Sequence, residues 1–353
     1  MITGALYLSR TFLSRFGLLL FSFLVLFQIF DMMASGEDII SRNGSIEALF
    51  RYAILRVPEI VTQTLPFTVL LAALLTLAGL AQHNEIVVLK SAGISFFQLL
   101  IMLAPIGLGI GLAHFVLSDQ VVPRLSPWVE LLRDPQGREV EASTIGGGIW
   151  LRDTGAVVSM QRASRDGRAI EEVSVFERDE QGKLRSMLWA RNGQFRDGQW
   201  TLHDVRRLEP GAPKQLLPEM EWSTGVKPAQ LSALAAHPSL LALKQILRFI
   251  RTPEVGARPI YVYETWLQER ISLLLKPILM ILLAAPAANL TRRHAGMAGS
   301  LGYGIAAGFA YFVADGLGLA FGEAGKLPPL IAAWAPGVIF AAFGSFIVLQ
   351  VER

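Results

Sequence analysis

Six apolar stretches, each long enough to cross a lipid bilayer, limit the possible folds of this chain more than any other feature. They cover residues 13–33, 60–80, 96–117, 271–290, 299–321 and 330–351, and one membrane-spanning helix needs about 20 mostly apolar residues. The chain has 353 residues, 52% of them hydrophobic, which is too apolar for an ordinary soluble protein of this length. The first stretch is too long for a cleaved signal and lacks a clear small-residue cleavage site, so we expect it to remain as a helix.

The basic residues indicate how these spans are oriented. Arg10 and Arg15 lie at the start of the first stretch, Arg292 and Arg293 lie between the fourth and fifth, and Arg353 follows the sixth. The loop after the first stretch is mixed in sign. Because cytoplasmic loops are enriched in Lys and Arg, both termini are predicted to be cytoplasmic, and so is the segment 80–95.

A polar region lies between the third and fourth spans, at residues 122–258. It contains Asp-Gly-type turn signals at close intervals, such as "RDTG" (152–155) and "RDGQ" (196–199), with short strand-like pieces between them. This pattern predicts an all-β sandwich or barrel-like domain, placed outside the cytoplasm by the topology. The segment 231–250 is read as helical and as leading back to the membrane. The predicted fold is therefore membrane α+β, with six transmembrane helices and a β-domain between helices 3 and 4 (residues 1–121, 122–258 and 259–353).

No motif of an enzyme or a metal site is found in the sequence. There is no cysteine, no H-E-x-x-H pair and no G-x-S-x-G elbow. The "AGSLG" segment (298–302) is better explained by helix packing than by a protease serine, and "GEAGKLPP" (322–329) lacks the spacing of a phosphate loop. We therefore assign no catalytic residue, no cofactor and no metal to this chain, and any energy for work must come from a partner.

Several segments resemble the LptF/LptG family of lipopolysaccharide-export permeases. They are "PEIVTQTLPFTVLLAALLTLAGLAQHNEIVVLKSAGIS" (58–95), "GGIWLRDTGAVVSM" (147–160) and "KLPPLIAAWAPGVIF" (326–340). The pair Phe30–Asp31 and the Pro-Pro entry into the sixth span are more similar to LptG than to LptF. The resemblance covers the whole chain and implies that the β-domain is a periplasmic β-jellyroll.

The resemblance also implies a function and a set of partners. The chain would be a permease subunit of an ABC transporter that extracts lipopolysaccharide from the outer leaflet of the bacterial inner membrane. It would pair with an LptF paralogue and with an LptB ATPase dimer, which binds the ATP and Mg, and pass lipid to LptC and an LptA-type periplasmic bridge. Two alternatives remain from the sequence: an LptF-type paralogue in the same complex, and a non-transporting membrane-anchored periplasmic scaffold.

The resemblance implies an ATPase-coupling helix at residues 84–95. Ile86, Val87 and Leu89 are expected to form an apolar face of this helix. Ala92 and Gly93 are small enough to allow close approach of a partner, and Glu85 and Lys90 are the charged residues expected to pair with it. From the residue pattern alone, a helix lying on the lipid surface fits equally well. The resemblance favours coupling.

A lipid cavity is expected in spans one and five, although each candidate could equally face lipid or pack. The candidates are Phe16, Leu20, Phe23, Phe27, Gln28, Asp31, Phe309, Phe312 and Leu319. Arg133 and Lys276 are the candidates for contacts with lipid head groups. The resemblance implies a basic residue at the position of Arg133, and Lys276 is a charge inside a span, which is costly without a partner. The expected alternatives are a surface charge for Arg133 and snorkelling for Lys276. Candidate strand residues of the jellyroll, on either its core or its groove face, are Ile149, Leu151, Val173, Val175, Leu188 and Trp189.

Overall fold

The structure is a computed structural model, and it describes residues 2–43, 45–133, 149–153, 156–164, 167–178, 184–209, 213–228, 231, 237–251, 258–290 and 296–352. Within these ranges the helices are α1 (Ile2–Asn43), α2 (Ile46–Gln82), α3 (Glu85–Ser91), α4 (Phe96–Val116), α5 (Val122–Arg133), α6 (Leu243–Arg251), α7 (Ile260–Ser272), α8 (Lys276–Leu290), α9 (Gly296–Glu323) and α10 (Pro329–Glu352). The strands are β1 (Ile149–Asp153), β2 (Ala156–Ala163), β3 (Ala169–Arg178), β4 (Leu184–Arg196), β5 (Gln199–Leu208) and β6 (Gln215–Trp222).

The chain forms two compact units. The first contains Met1–Ala34, Val57–Val122 and Thr265–Arg353, and the second contains Ser35–Arg56 and Pro123–Glu264. The segment Ser35–Arg56, which the sequence analysis placed with the membrane helices, falls in the second unit.

Five helical stretches among the described residues are long and apolar enough to cross a membrane. They are Leu6–Glu37, Ile46–Gln82, Phe96–Arg133, Leu301–Glu323 and Pro329–Gln350. Together with the β-sheet they confirm the predicted membrane α+β fold class.

The fourth predicted span, at 271–290, is not one continuous helix. The chain forms α7, a non-helical turn at residues 273–275, and then α8, which has only 15 residues. Pro277 explains the break, because its ring clashes with the carbonyl of the residue four positions earlier and it has no N–H to bond that carbonyl. A proline is tolerated in the first turn of a helix, so α8 begins beside it.

A π-helical turn, Leu117–Val121, joins α4 to α5. The Val122 N–H reaches back to the Leu117 carbonyl, and Pro123 has no N–H to offer the next carbonyl, that of Ser118. The guanidinium of Arg270 in α7 donates to this Ser118 carbonyl at 2.6 Å. The long-range bond thus satisfies a buried carbonyl that the proline leaves without a backbone donor.

The six strands form one antiparallel sheet in the order β1-β2-β3-β4-β5-β6. The β4–β5 hairpin closes through Asp197 and Gly198, both at positive φ, between the paired residues Arg196 and Gln199. Positive φ at both central residues is typical of the two-residue hairpin turn that Asp-Gly predicts. The predicted β-structure is present in this region as one antiparallel sheet, and the sequential order of its described strands does not have the crossovers of a jellyroll in its strict sense.

Two residues with positive φ lie in one row across the sheet. Glu172 and Asp204 have φ of 49° and 55°, and the flanking register places both opposite Arg191 of β4. A residue in the left-handed region interrupts the strict alternation of side chains. The buried positions of each strand therefore switch between odd and even residue numbers at this row. The buried residues are Val158, Met160 and Ala163 in β2; Val175, Val173 and Ile170 in β3; Leu188, Ala190 and Gly193 in β4; and Val205, Leu202 and Trp200 in β5.

The segment predicted as a helix at 231–250 is helical only in part. A 3₁₀ turn, Pro238–Leu240, precedes α6, and residues 232–236 lie outside the described part of the chain. Arg292 and Arg293 also lie outside it. The sequence analysis missed β6, whose pairing with β5 runs from Gln215 to Trp222.

Candidate functional site

The predicted coupling segment forms the short helix α3, which is shorter than expected. Asn84 precedes it in the left-handed region, and its carbonyl accepts the N–H groups of Val87 and Val88 at 3.0 and 3.2 Å. The helix ends at Ser91 because Gly93 has φ +84° and donates to the Lys90 carbonyl at 3.0 Å. A left-handed glycine is a common helix terminator. Ala92 and Gly93 therefore form the turn after the helix, which corrects the predicted helix of residues 84–95.

The two sides of α3 differ from the predicted apolar face. Ile86 is buried, and Leu89 packs against the same core. Val87 and Val88 lie on the opposite side with 40% and 65% of their surface exposed. The prediction of one apolar face from Ile86, Val87 and Leu89 is wrong, and Val88 was missed. The exposed apolar side chains of α3 are those of Val87 and Val88.

One hydrophobic core joins α3 to the start of α1. Leu8 and Phe12 of α1 are buried in the same cluster as Ile86 and as Leu80 of α2. A cavity of about 190 Å³ lies beside α3, and Glu85 and Tyr7 are among its lining residues. The Tyr7 hydroxyl lies 3.5 Å from the Glu85 carboxylate. Lys90, the other charged residue of α3, is half-buried. The start of α1 and the helix α3 thus pack in one core.

Most of the first span is not covered by the rest of the chain. No residue in the most apolar 18-residue window of α1 is buried, whereas 78% of the corresponding window of α2 is buried. Among the predicted cavity residues here, Phe16 and Leu20 are half-buried and Phe27 is exposed. Gln28 is half-buried, and its side-chain amide atoms have no hydrogen-bond partner within the described residues. Asp31, also half-buried, lies one turn further along α1.

Three of the predicted cavity residues belong to one row of aromatic rings. The ring of Phe23 lies 6.5 Å from that of Phe27 and 5.5 Å from that of Phe67 in α2. Phe67 lies 6.1 Å from Phe312 in α9. This aromatic row joins spans one and five through α2, whose Phe67 the sequence analysis did not single out. Of the other candidates in α9, Phe309 is exposed and Leu319 is half-buried.

The two head-group candidates have different environments. Arg133 is the last residue of α5, is exposed, and belongs to the second unit. Lys276 belongs to the first unit, where its ammonium lies 2.5 Å from Glu269 and 2.7 Å from Asp315. Lys276 is therefore buried between two carboxylates of its own chain, which corrects the predicted snorkelling and leaves no open anion site at this ammonium.

Asp315 was missed although a sequence signal for it exists. It is the sole charged residue in the apolar stretch 299–321, as Lys276 is in 271–290. An isolated acid and an isolated base in two spans of one chain are candidates for pairing, because each is costly alone.

The strand candidates are divided between the two faces of the sheet. Val173, Val175 and Leu188 are buried on one face. Trp189 is half-buried on the other face, where the Arg206 guanidinium lies 4.6 Å from its ring centroid. Ile149 and Leu151 lie in β1, and their side chains are outside the described part of the structure.

These features define a class of polytopic α+β membrane proteins. A β-sheet region is inserted between two groups of apolar helices, and a short, partly exposed helix connects two of the spans. The family model for the lipopolysaccharide export system permease LptF/LptG matches residues 6–350, and the chain belongs to this family. It is therefore a permease of a lipopolysaccharide export system. The chain is also similar to the lipopolysaccharide export system permease protein LptG of Haemophilus influenzae, with 21% identity over 294 residues, which cover 81% of each chain.

Proposed function

We propose that this chain is the LptG-type membrane subunit of an ABC transporter, lifting lipopolysaccharide from the outer leaflet of the inner membrane. A cytoplasmic LptB-type ATPase would push on α3. The single observation that carries the proposal is the two-sided burial of α3: Ile86 anchors the helix in the core, and Val87 and Val88 face outward. A short helix of this kind fits a groove on a partner and transmits a rigid-body push.

The uncovered first span supports pairing with a second membrane subunit. An apolar helix without buried residues in its central window must be covered by lipid or by another chain. In the proposed complex an LptF-type subunit lies against α1, and acyl chains enter between the two subunits along the aromatic row (Phe27, Phe23, Phe67 and Phe312). The β-sheet region then receives the lipid in the periplasm and passes it to LptC and an LptA-type bridge. Both termini are cytoplasmic in this arrangement.

Co-purification from detergent-solubilised membranes tests the role of α3. The tagged chain is expected to bring down a nucleotide-hydrolysing subunit and a second LptF/LptG-family chain. Val88→Glu adds a charge to the exposed side of α3, and we expect it to remove the ATPase while the variant keeps the thermal unfolding of the unchanged chain. The matched control is Gln82→Glu, which adds the same charge at an exposed position on α2.

The transport arm uses vesicles containing the purified complex and labelled lipopolysaccharide. Release of the lipid to a soluble periplasmic acceptor is expected to require ATP and to be lost with Val88→Glu. The proposal is wrong if the chain purifies without an ATP-hydrolysing partner, or if lipid leaves the vesicles equally fast without nucleotide.

A further inference from the structure

A buried charge cluster, formed by Glu269, Lys276 and Asp315, joins three helices of the first unit. These residues are 6%, 7% and 8% exposed, and they lie on α7, α8 and α9 respectively. The Lys276 ammonium donates to Glu269 Oε1 at 2.5 Å and to Asp315 Oδ2 at 2.7 Å. One ammonium thus ties together helices that no continuous backbone hydrogen-bond ladder connects.

The carboxylates have further hydrogen-bond donors on their own helices. The Tyr311 hydroxyl donates to Asp315 Oδ1 at 3.3 Å. The Ser272 hydroxyl lies 3.1 Å from Glu269 Oε2 and 2.8 Å from the Glu269 carbonyl, so two acceptors share its one proton. A buried charged network of this kind favours one arrangement of its helices, because another arrangement leaves a buried charge without its partner.

The buried charge cluster lies across the break between α7 and α8. Glu269 precedes the break and Lys276 follows it. The turn itself packs closely on α4, since a Cβ at Gly111 would collide with the Leu274 carbonyl. The geometry of the break and the attachment of α9 thus depend on the same ammonium.

The cluster is also continuous with the aromatic row. Tyr311, whose hydroxyl binds Asp315, has its ring 5.6 Å from that of Phe312 and 5.5 Å from that of Phe340 in α10. Phe312 is the member of the aromatic row on α9. A chain of contacts on α9 thus links Asp315 through Tyr311 to the Phe312 ring.

We propose that Lys276 is a positioning residue that fixes α9, with its Phe312 ring, relative to the turn between α7 and α8. A change in the geometry of this turn then moves the part of the proposed lipid cavity that Phe312 lines. The inference rests on the proposed function, because it assigns the movement to a lipid cavity. Lys276 does not contact lipid in this role. It acts through Glu269 on one side and through Asp315 on the other.

The test uses two variants that each cut one tie and leave a balanced ion pair. Asp315→Asn keeps Lys276 with Glu269 and releases α9, and Glu269→Gln keeps Lys276 with Asp315 and releases α7. The chain has no cysteine, so Ile271→Cys in α7 and Leu317→Cys in α9, both at exposed positions, accept a unique pair of spin labels. Lys326→Met is the control, because it removes an exposed lysine beyond the end of α9.

We expect both ties to matter in two readouts of the purified complex. The distance distribution between the labels broadens in Asp315→Asn and in Glu269→Gln, and the lipid released per ATP hydrolysed falls by about fivefold or more. Lys326→Met changes neither. Should a single variant fail to accumulate in membranes, the triple variant Glu269→Gln, Lys276→Met, Asp315→Asn replaces it, because it strands no charge.

Two results overturn the inference: label distances unchanged in both single variants, or broadened distances with unchanged lipid release per ATP. The failure of the proposed function gives a different result. In that case the unchanged complex releases no lipid with ATP, while the label distances still show whether the cluster holds α9 to the break.

Discussion

The close approach of α4 to the α7–α8 break gives a sharp prediction for Gly111→Ala. The new Cβ would collide with the backbone carbonyl of Leu274, and a carbonyl in a packed turn cannot rotate away as a flexible side chain can. Overpacking of this kind costs about 1–3 kcal/mol. The two helices must separate, and the turn loses the contact that supports it.

Gly109→Ala is the matched control on the same helix. A Cβ at Gly109 meets nothing within 4 Å, so the substitution brings only the better helix propensity of alanine, about 0.5–1 kcal/mol in favour of folding. The two variants have the same chemistry on the same helix and opposite expected signs. Both variants gain the helix propensity of alanine, so this gain cancels, and their difference in unfolding free energy is the overpacking cost of about 1–3 kcal/mol.

Thermal unfolding of the purified chain in detergent, followed by loss of soluble protein, measures the difference. Gly111→Ala is expected to unfold at a lower temperature than the unchanged chain, and Gly109→Ala at the same or a higher temperature. Equal midpoints for the two variants would refute the reasoning, because they would mean that the carbonyl of Leu274 does not limit the space at Gly111.

Three further predictions, which use five substitutions, test other parts of the fold by the same unfolding assay. Ile86→Ala is expected to cost about 2–5 kcal/mol as a buried truncation, whereas Val88→Ala on the exposed side of α3 stays within about 0.5 kcal/mol; equal losses would contradict the assignment of the two sides. Glu172→Gly, at positive φ, is expected to stabilise by up to about 1 kcal/mol, while Ser174→Gly on the same strand destabilises by about 0.5–1 kcal/mol; a loss at both positions would exclude strain at Glu172. Trp200→Phe removes the indole N–H that donates to the Val226 carbonyl at 2.9 Å and is expected to cost about 1–3 kcal/mol, since a buried carbonyl is left without its donor; an unchanged midpoint would contradict this.

The features that depend on near neighbours in the chain were predictable. Spans one, two, three, five and six follow from the length of an apolar run, and the β4–β5 hairpin follows from Asp197-Gly198, because each signal lies within the element it describes. The fourth span was predicted as one continuous helix because hydropathy does not report a break in the backbone. Pro277 was the residue in the sequence that indicated this break.

The exposed side of α3 was not predictable from its pattern. Ile86 and Leu89 on one side and Val87 and Val88 on the other are all apolar, so periodicity over seven residues gives no preference. Burial is decided by Leu80 of α2 and by the start of α1, which approach Ile86 from elsewhere in the chain. A pattern of hydrophobicity reports which residues can be buried, and only the tertiary structure shows which of them are.

The partners of Lys276 were hidden for a related reason. In an unbroken helix, residues seven apart lie about 10 Å apart along the axis, which argues against a bond between Glu269 and Lys276. Across the turn at 273–275 the two side chains lie 2.5 Å apart. The charge pair thus spans the break that hydropathy misses.

The start and the middle of α1 contact the core of the first unit unequally, and this asymmetry bears on the proposed coupling to α3. Near its start, Leu8 and Phe12 are buried in the core that also holds Ile86 of α3. Beyond Phe16 the spanning window has no buried residue, although Phe23 still touches Phe67. From Phe16 to Met33 the helix extends about 25 Å further. Between Phe16 and Met33 the helix therefore meets the rest of the first unit at few points, and the aromatic row is the place where it is linked to α9 and to the buried charge cluster.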